Sequence, residues 1–329
     1  MTARTRQAGA ALLLAMLTVT LVATLSAAAL WQQWRGVEVE AAERSRVQAT
    51  WVLVGALDWA RLILREDGRA GGPDHLAEPW AVPLEEARLS SFLAAEKNVT
   101  TDSLEGLPDA LMSGRIVDAQ SKLNVLNLVD ASAKPVPASV AAFSRLFNLL
   151  GLPAQELGAL TVSLARALAG GDAVSGSGDA TAASPLLPQH TSQLVWLGLS
   201  PTTAAALEPY VTVLPVRTPV NLNTAAAEVI YASTPSLDMA GAQRLVERRK
   251  SAHFQNLSAA NDLVRGNVAT LPFTEDQHSV STRFFEVWGR LRLDRTWVEE
   301  HSLVQRDGIN VQVLWRERGA GTASTTLKP

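Results

Sequence analysis

The sequence predicts an α+β fold in which a long N-terminal helix packs on an antiparallel sheet and a large helical segment is inserted between the sheet's strands. Three observations carry it. An uncharged apolar stretch near the N-terminus runs directly into an amphipathic helical pattern. The C-terminal part alternates apolar and polar residues around a hairpin signal. Between the two strand sets the pattern is mostly helical.

From Gln7 to Trp34 there is no charged residue, and Ala10 to Leu30 reads AALLLAMLTVTLVATLSAAAL. Such a run has about the 20 residues needed to cross a hydrocarbon core. Arg4 and Arg6 precede it, which places the N-terminus in the cytoplasm, and Trp31 and Trp34 fall where an interfacial aromatic belt sits. Three readings are open. One is a secretory signal peptide cleaved near Ser26-Ala27-Ala28, and another is an uncleaved signal anchor. The third is a short basic leader ending at Gly9, cut on the cytoplasmic side, with the apolar segment retained.

The next residues favour retention. Val37 to Arg65 holds no proline and one glycine, Gly55, while Val47, Trp51, Val54, Leu57 and Leu62 recur at helical spacing. Asp67-Gly68 and then Gly71-Gly72-Pro73 are the predicted stop. The expected division is a leader over 1–9, a membrane segment over 10–32 and an amphipathic continuation over 33–66.

An α/β body is expected over 67–128 and 268–318. Strand character appears at Gly114–Asp118 and again over Ser121–Leu128. Phe285, Val287, Leu291 and Leu293 alternate with Glu286, Trp288, Arg290 and Arg292. Trp297–Val304 then leads through Asp307-Gly308, a hairpin signal, to Val311, Val313 and Trp315. The tail, 319–329, is expected to be disordered.

Residues 129–267 form the predicted helical insertion, divided by a low-complexity loop at Gly170–Ser184. Its second half, 217–267, has the pattern of a helix-hairpin-helix-like (SAM-like) unit. Asn223 or Thr224 is its candidate first cap, and Phe254 to Leu263 closes the second helix. Such hairpins bind DNA phosphate through exposed backbone N–H groups between two glycines. Here the hairpin reads Pro235-Ser236-Leu237-Asp238-Met239-Ala240, with both glycines absent and an aspartate at the phosphate position. Arg244, Arg248, Arg249 and Lys250 read as a solvated helix face, so nucleic acid is not an expected partner.

Composition narrows the function further. The 29 Lys and Arg are balanced by 32 Asp and Glu, a net charge of −3, with no cysteine for a disulfide, a thiol nucleophile or a thiolate metal site. His75, His190, His253, His278 and His301 are scattered, with no zinc spacing. The adjacent acids Glu85-Glu86 and Glu299-Glu300 diverge on any regular element, and Ser175-Gly176-Ser177-Gly178 reads as a flexible loop. No enzyme is expected.

The leader RQAG, the apolar segment with Trp31-Gln32-Gln33-Trp34, the run WVLVGALDWARLILRED and the stretch DHLAEPWAVPLEEARLS together resemble the K-class minor pseudopilin of type II secretion (the GspK family). The Asp118–Asn127 pattern, the hairpin unit and the order of elements resemble it as well. The resemblance implies prepilin peptidase cleavage between Gly9 and Ala10, with Ala10 N-methylated. The fifth mature residue, a glutamate in most pseudopilins, is Leu14 here, as the K class implies for a tip subunit. It further implies a single-pass inner-membrane protein with a periplasmic head. Its implied partners are I- and J-class minor pseudopilins, other pseudopilins and the inner-membrane secretion platform. Trp51, Val54 and Trp59 are the expected contacts for partner helices. Calcium is the one cofactor the resemblance admits, and no D-x-D-x-D cluster supplies ligands for it. The alternative from another class is a membrane-anchored DNA-binding protein using the hairpin unit.

Overall fold

One helix, α1 (Ala8–Ala70), carries the chain through 63 residues without a break. The computed structural model describes residues 8–90, 110–172, 184–264, 271–293 and 296–320. Residues 10–44 lie exposed along α1, and further on one face is buried. Ala49, Leu53, Leu57, Ala60 and Leu64 fall within an arc of about 80° at 3.6 residues per turn. This corrects part of the predicted packing stripe: Leu57 is buried as expected and Val54 half-buried, but Val47, Trp51 and Leu62 are exposed on the opposite side.

The predicted stop at Asp67-Gly68 is also corrected. The helix runs to Ala70 and ends where Gly71 takes a left-handed φ of +69° and donates to Asp67 O at 3.0 Å. Gly68 stays inside the helix because the turn at Gly308 lies against it. A Cβ there would strike the Gly308 carbonyl oxygen.

After α1 come β1 (Leu84–Arg88), β2 (Ala110–Asp118) and β3 (Leu123–Asn124). The helical body follows with α2 (Pro137–Leu150), α3 (Ala154–Asp172) and α4 (Pro201–Leu207). Two short strands, β4 (Val211–Thr212) and β5 (Val220–Asn221), precede α5 (Ala227–Ser233), α6 (Met239–Ser251) and α7 (Leu257–Val264). The chain returns through β6 (His278–Ser279) to β7 (Phe284–Leu293), β8 (Thr296–Asp307) and β9 (Asn310–Ala320).

The main sheet is antiparallel, in the order β1-β2-β7-β8-β9. The alternation read in β7 sorts its two faces. Phe285 and Val287 pack with Leu57, Ala60 and Leu64 of α1, and Leu291 and Leu293 with Ala49 and Leu53. Phe284 lies on the other face with Leu303, Ala119 and Leu214, where the helical body docks. The hairpin signal holds, with Asp307 paired to Asn310 around a two-residue loop whose first member, Gly308, has φ +58°. β9 extends through Gly319 and Ala320, so those two residues of the expected disordered tail are strand; the rest of the tail lies outside the described residues.

β1 escaped the sequence reading for a local reason. Leu84 pairs with Gly114 and Ala87 with Met112, so three steps on one strand meet two on the other. That bulge at Glu85-Glu86 breaks the period-two pattern. The Ser121–Leu128 stretch is also corrected, since only Leu123–Asn124 is strand and 3-10 turns flank it.

The helical body has one continuous core, with Phe143, Leu146 and Phe147 of α2 against Val229 and Ile230 of α5, Leu160 and Leu164 of α3, and Leu245 of α6. Leu123, Val125 and Leu128 belong to this core, as does Phe273. The sequence reading had placed them with the sheet. Most of the low-complexity loop lies outside the described residues, although α3 runs into its first residues, to Asp172.

Candidate functional site

Two regions bear on function: α1, and the seam where the helical body meets the sheet. Gly9 and Ala10 both fall in the first turn of α1, and residues 1–7 lie outside the described residues. Among the described residues α1 is the one helix long and apolar enough to cross a membrane. The 23 residues of 10–32 would span about 35 Å at 1.5 Å per residue. None of this segment is buried by the head.

Trp51, Val54 and Trp59 do not share one face. Trp51 is 69% exposed and points away from the sheet, and Val54 is half-buried. Trp59, 38% exposed, lies about 80° round the helix from Trp51. It flanks an apolar groove of about 240 Å³ with Leu53, Ala56, Trp80 and Met112. Val47, Trp51 and Leu62 form the outward stripe, within about 60° of arc.

The seam is built by asparagines whose amides stand in for backbone. Asn124 Nδ2 donates to Val216 O at 2.7 Å, and its Oδ1 accepts from Leu214 N at 3.2 Å. Asn127 makes a reciprocal pair with Thr218, at 2.7 and 3.1 Å. Asn221 Nδ2 reaches Asp74 O at 3.1 Å and Asp118 Oδ2 at 2.9 Å. The fully buried Asp118 also accepts from Thr224 Oγ1 at 2.5 Å and Gln120 N at 2.7 Å, and burial pushes its carboxyl up to about 6.

These contacts correct the expected helix cap. Residue 226, not Asn223 or Thr224, is the N-cap of α5, and it has no side-chain cap. Asn223 instead exchanges hydrogen bonds with the Phe254 backbone, and Thr224 serves Asp118.

The hairpin between α5 and α6 is spent internally. Asp238 caps α6 by accepting from Gly241 N at 2.7 Å, which occupies a donor that a phosphate would need. Arg145, which sequence patterns did not single out, stacks on Tyr231 and donates to the carbonyls of Tyr231, Pro235 and Leu237. Arg249 leaves the predicted solvated face. Largely buried, it donates to Leu222 O at 2.6 Å, and desolvation lowers its pKa to about 10.

Among the described residues one carboxylate cluster is tight enough to consider for calcium: Asp67, Asp74 and Glu78. The residues do not fit the ion. Arg306 donates from Nη1 to Asp67 and from Nη2 to Asp74, so the cation they face is a guanidinium. Glu78 Oε2 is committed to His75 N and Trp80 Nε1, both at 2.8 Å. Calcium requires six to eight oxygens around it. Burial raises the Asp74 carboxyl, with Arg306 opposing, and lifts that of Glu78 to about 7. The histidines, scattered in sequence, come together in two pairs, His75 with His253 and His190 with His301.

Comparisons with known proteins agree with this geometry. Two family models described as type II secretion system (T2SS), protein K match residues 121–216 and 220–281, most of the segment between β2 and β7. The type II secretion system protein K of Pseudomonas aeruginosa (strain PAO1) is 28% identical over 345 residues, 97% of this chain and 95% of that protein. A chain in the crystal structure of the GspK-GspI-GspJ complex from enterotoxigenic Escherichia coli superimposes with a TM-score of 0.62 at 20% identity. The match covers 84% of this chain and 98% of that one, and it shows the shared fold. With an apolar helix leading into a sheet that carries this helical body, the chain belongs to the type II secretion system protein K family and is a minor pseudopilin.

Proposed function

We propose that this minor pseudopilin caps the tip of the type II secretion pseudopilus and helps initiate its assembly with I- and J-class minor pseudopilins, supporting export across the outer membrane. The observation that carries the reading is the continuity of α1. Its first part is apolar and uncovered, and its second buries one face on the sheet while Val47, Trp51 and Leu62 remain outward. Such a helix offers one stripe to the head and another to neighbouring helices.

In this reading the prepilin peptidase cuts between Gly9 and Ala10, and Ala10 is N-methylated. The head then stands in the periplasm, anchored in the inner membrane beside the secretion platform. Leu14 at the fifth mature position suits a subunit with no neighbour above it, since an unpaired carboxylate in the bilayer is costly. The helical body supplies the bulk that blocks addition of a further subunit.

The test is co-purification. The full chain, co-expressed with I- and J-class pseudopilins and extracted in detergent, should elute with both. Elution of the chain alone, under conditions where the I and J proteins still bind each other, would remove the tip-complex reading. The role is structural, as in the family, and no chemistry is assigned to the chain.

A further inference from the structure

Four of the five histidines meet in two pairs, and each pair crosses between the sheet body and the helical body. His75, in the loop after α1, stacks on His253, in the connection between α6 and α7. Their ring centroids are 3.6 Å apart and the planes 13° from parallel. At the second corner His190, which opens the 3-10 turn at Thr191–Leu197, meets Trp315 of β9 edge to face at 4.3 Å. His301 of β8 contacts the same indole at 4.7 Å and stacks on Trp288 of β7 at 3.5 Å. A cavity of about 320 Å³ opens beside this corner, lined from both bodies.

We propose that these two histidine pairs make the junction acid-sensitive: with neutral rings they hold the helical body against the sheet, and on protonation they release it.

The hydrogen-bond geometry at the first corner suits neutral rings. His75 Nδ1 accepts from Ala77 N at 3.2 Å, and His253 Nε2 sits 2.6 Å from Gln255 Nε2, whose amide can donate to it. A protonated imidazole has no acceptor left, so a proton at His75 Nδ1 breaks the bond from Ala77 N, and one at His253 Nε2 sets donor against donor. Two cationic rings in face contact also repel. The anions nearby are engaged, Asp67 and Asp74 by Arg306. Glu78, with its carboxyl near 7, takes up a proton over the same range. Burial and the neighbouring His253 both lower the His75 pKa, against the pull of Asp67.

At the second corner the nearest buried carboxylate lies on the sheet side. Burial disfavours ionised Glu286, but His301, Lys122 at 3.8 Å and the Trp288 indole together hold its carboxyl near 2. His301 Nε2 lies 3.5 Å from the Glu286 carboxylate, at the outer limit of a hydrogen bond, so this ring is held on the sheet. The His301 and His190 ring centroids are 6.5 Å apart across the junction, so positive charge on both rings repels. The carboxylate serving His190 is Glu317, at 3.7 Å and largely exposed, so solvent screens it. The remaining charges around the cavity are largely matched, Glu299 with Arg290 and Glu300 with Arg316 and Arg318; Glu208 completes the lining. Burial lowers the His190 pKa.

The chain has no cysteine, so a label pair is introduced cleanly. Gln243→Cys on α6 and Gln312→Cys on β9, both exposed, place one spin label on each body of the full chain in detergent. Pulsed dipolar spectroscopy at pH about 7.5 and about 5 spans the ordinary imidazole pKa and the range below it into which His75 and His190 are lowered. A single distance at the higher pH and a second, longer component at the lower one are expected. That component should vanish when His253→Gln and His190→Asn are combined. An unchanged distance in the otherwise unmodified chain, or a long component that persists in the double variant, overturns the proposal. Should the double variant not fold, the comparison with His253→Gln alone decides: that variant must reduce the long component.

Discussion

Thr224 donates a hydrogen bond to Asp118 across 106 residues of sequence, at 2.5 Å and in a buried site. It ties the end of β2 to the start of the hairpin unit, and Asn221 and Gln120 complete the carboxylate's shell. Asp118→Ala leaves those donors unpaired and should cost about 3 kcal/mol of unfolding free energy, read by urea denaturation.

The same carboxylate makes a pH prediction. Its folded pKa, near 6, lies above the ordinary 3.8 because burial penalises the charge. A raised acid contributes stability that is complete below pH about 3.8 and is lost as pH rises through about 6. Asp118→Asn should flatten that part of the stability profile. A profile of the same slope in the variant would show that the proton resides elsewhere.

Gly68→Ala tests the close approach of helix and hairpin. Alanine is the better helix former by about 1 kcal/mol, so a helix-only account predicts stabilisation. The Gly308 carbonyl oxygen in the way of a Cβ predicts the reverse, a loss of about 1–3 kcal/mol. The sign of the change in melting temperature separates the two.

Arg306→Gln should be among the most damaging single changes in the head. It removes the partner of both Asp67 and Asp74, the donor to Thr282 O at 3.1 Å and the cation over the Phe285 ring. Breaking a buried pair of this kind costs about 3–5 kcal/mol. Arg306→Lys should recover little, because an ammonium cannot fork to two carboxylates. Chemical denaturation of the three proteins side by side checks both statements.

What the sequence made legible follows from where the physics is local. The β8–β9 hairpin, the exposed apolar run and the Asp238 hairpin each depend on neighbours a few residues away, and all three could be read. Gly68 was misread as a helix stop because its reason, the Gly308 carbonyl, lies 240 residues further on. β1 was hidden by a one-residue bulge at Glu85-Glu86. Asn223 stood out as a candidate cap, but its role, like that of Asn221, as surrogate backbone at the seam depends on Asp74, Asp118 and Phe254, which only the closed fold brings near. The stripe on α1 was displaced for a related reason. Periodicity finds an apolar face, and the choice between the face bearing Ala49 and Leu53 and the one bearing Trp51 is made by the sheet, where Gly289 leaves room for Leu53.

Trp51→Ala should leave the fold intact, because the indole is 69% exposed and touches none of the head's core. It should weaken co-purification with the I- and J-class partners several-fold, as expected when an exposed aromatic anchor is truncated. An unchanged yield of complex would move the contact off this stripe.

The account rests most heavily on a retained apolar helix with a processed leader, and the mature N-terminus tests that directly. Mass spectrometry of the chain expressed with and without a prepilin peptidase should find a start at Ala10, methylated, and only when the peptidase is present. A start near Ala29 in both preparations would mean an ordinary signal peptide and a head released from the membrane, and the pseudopilus-tip reading would fall with it.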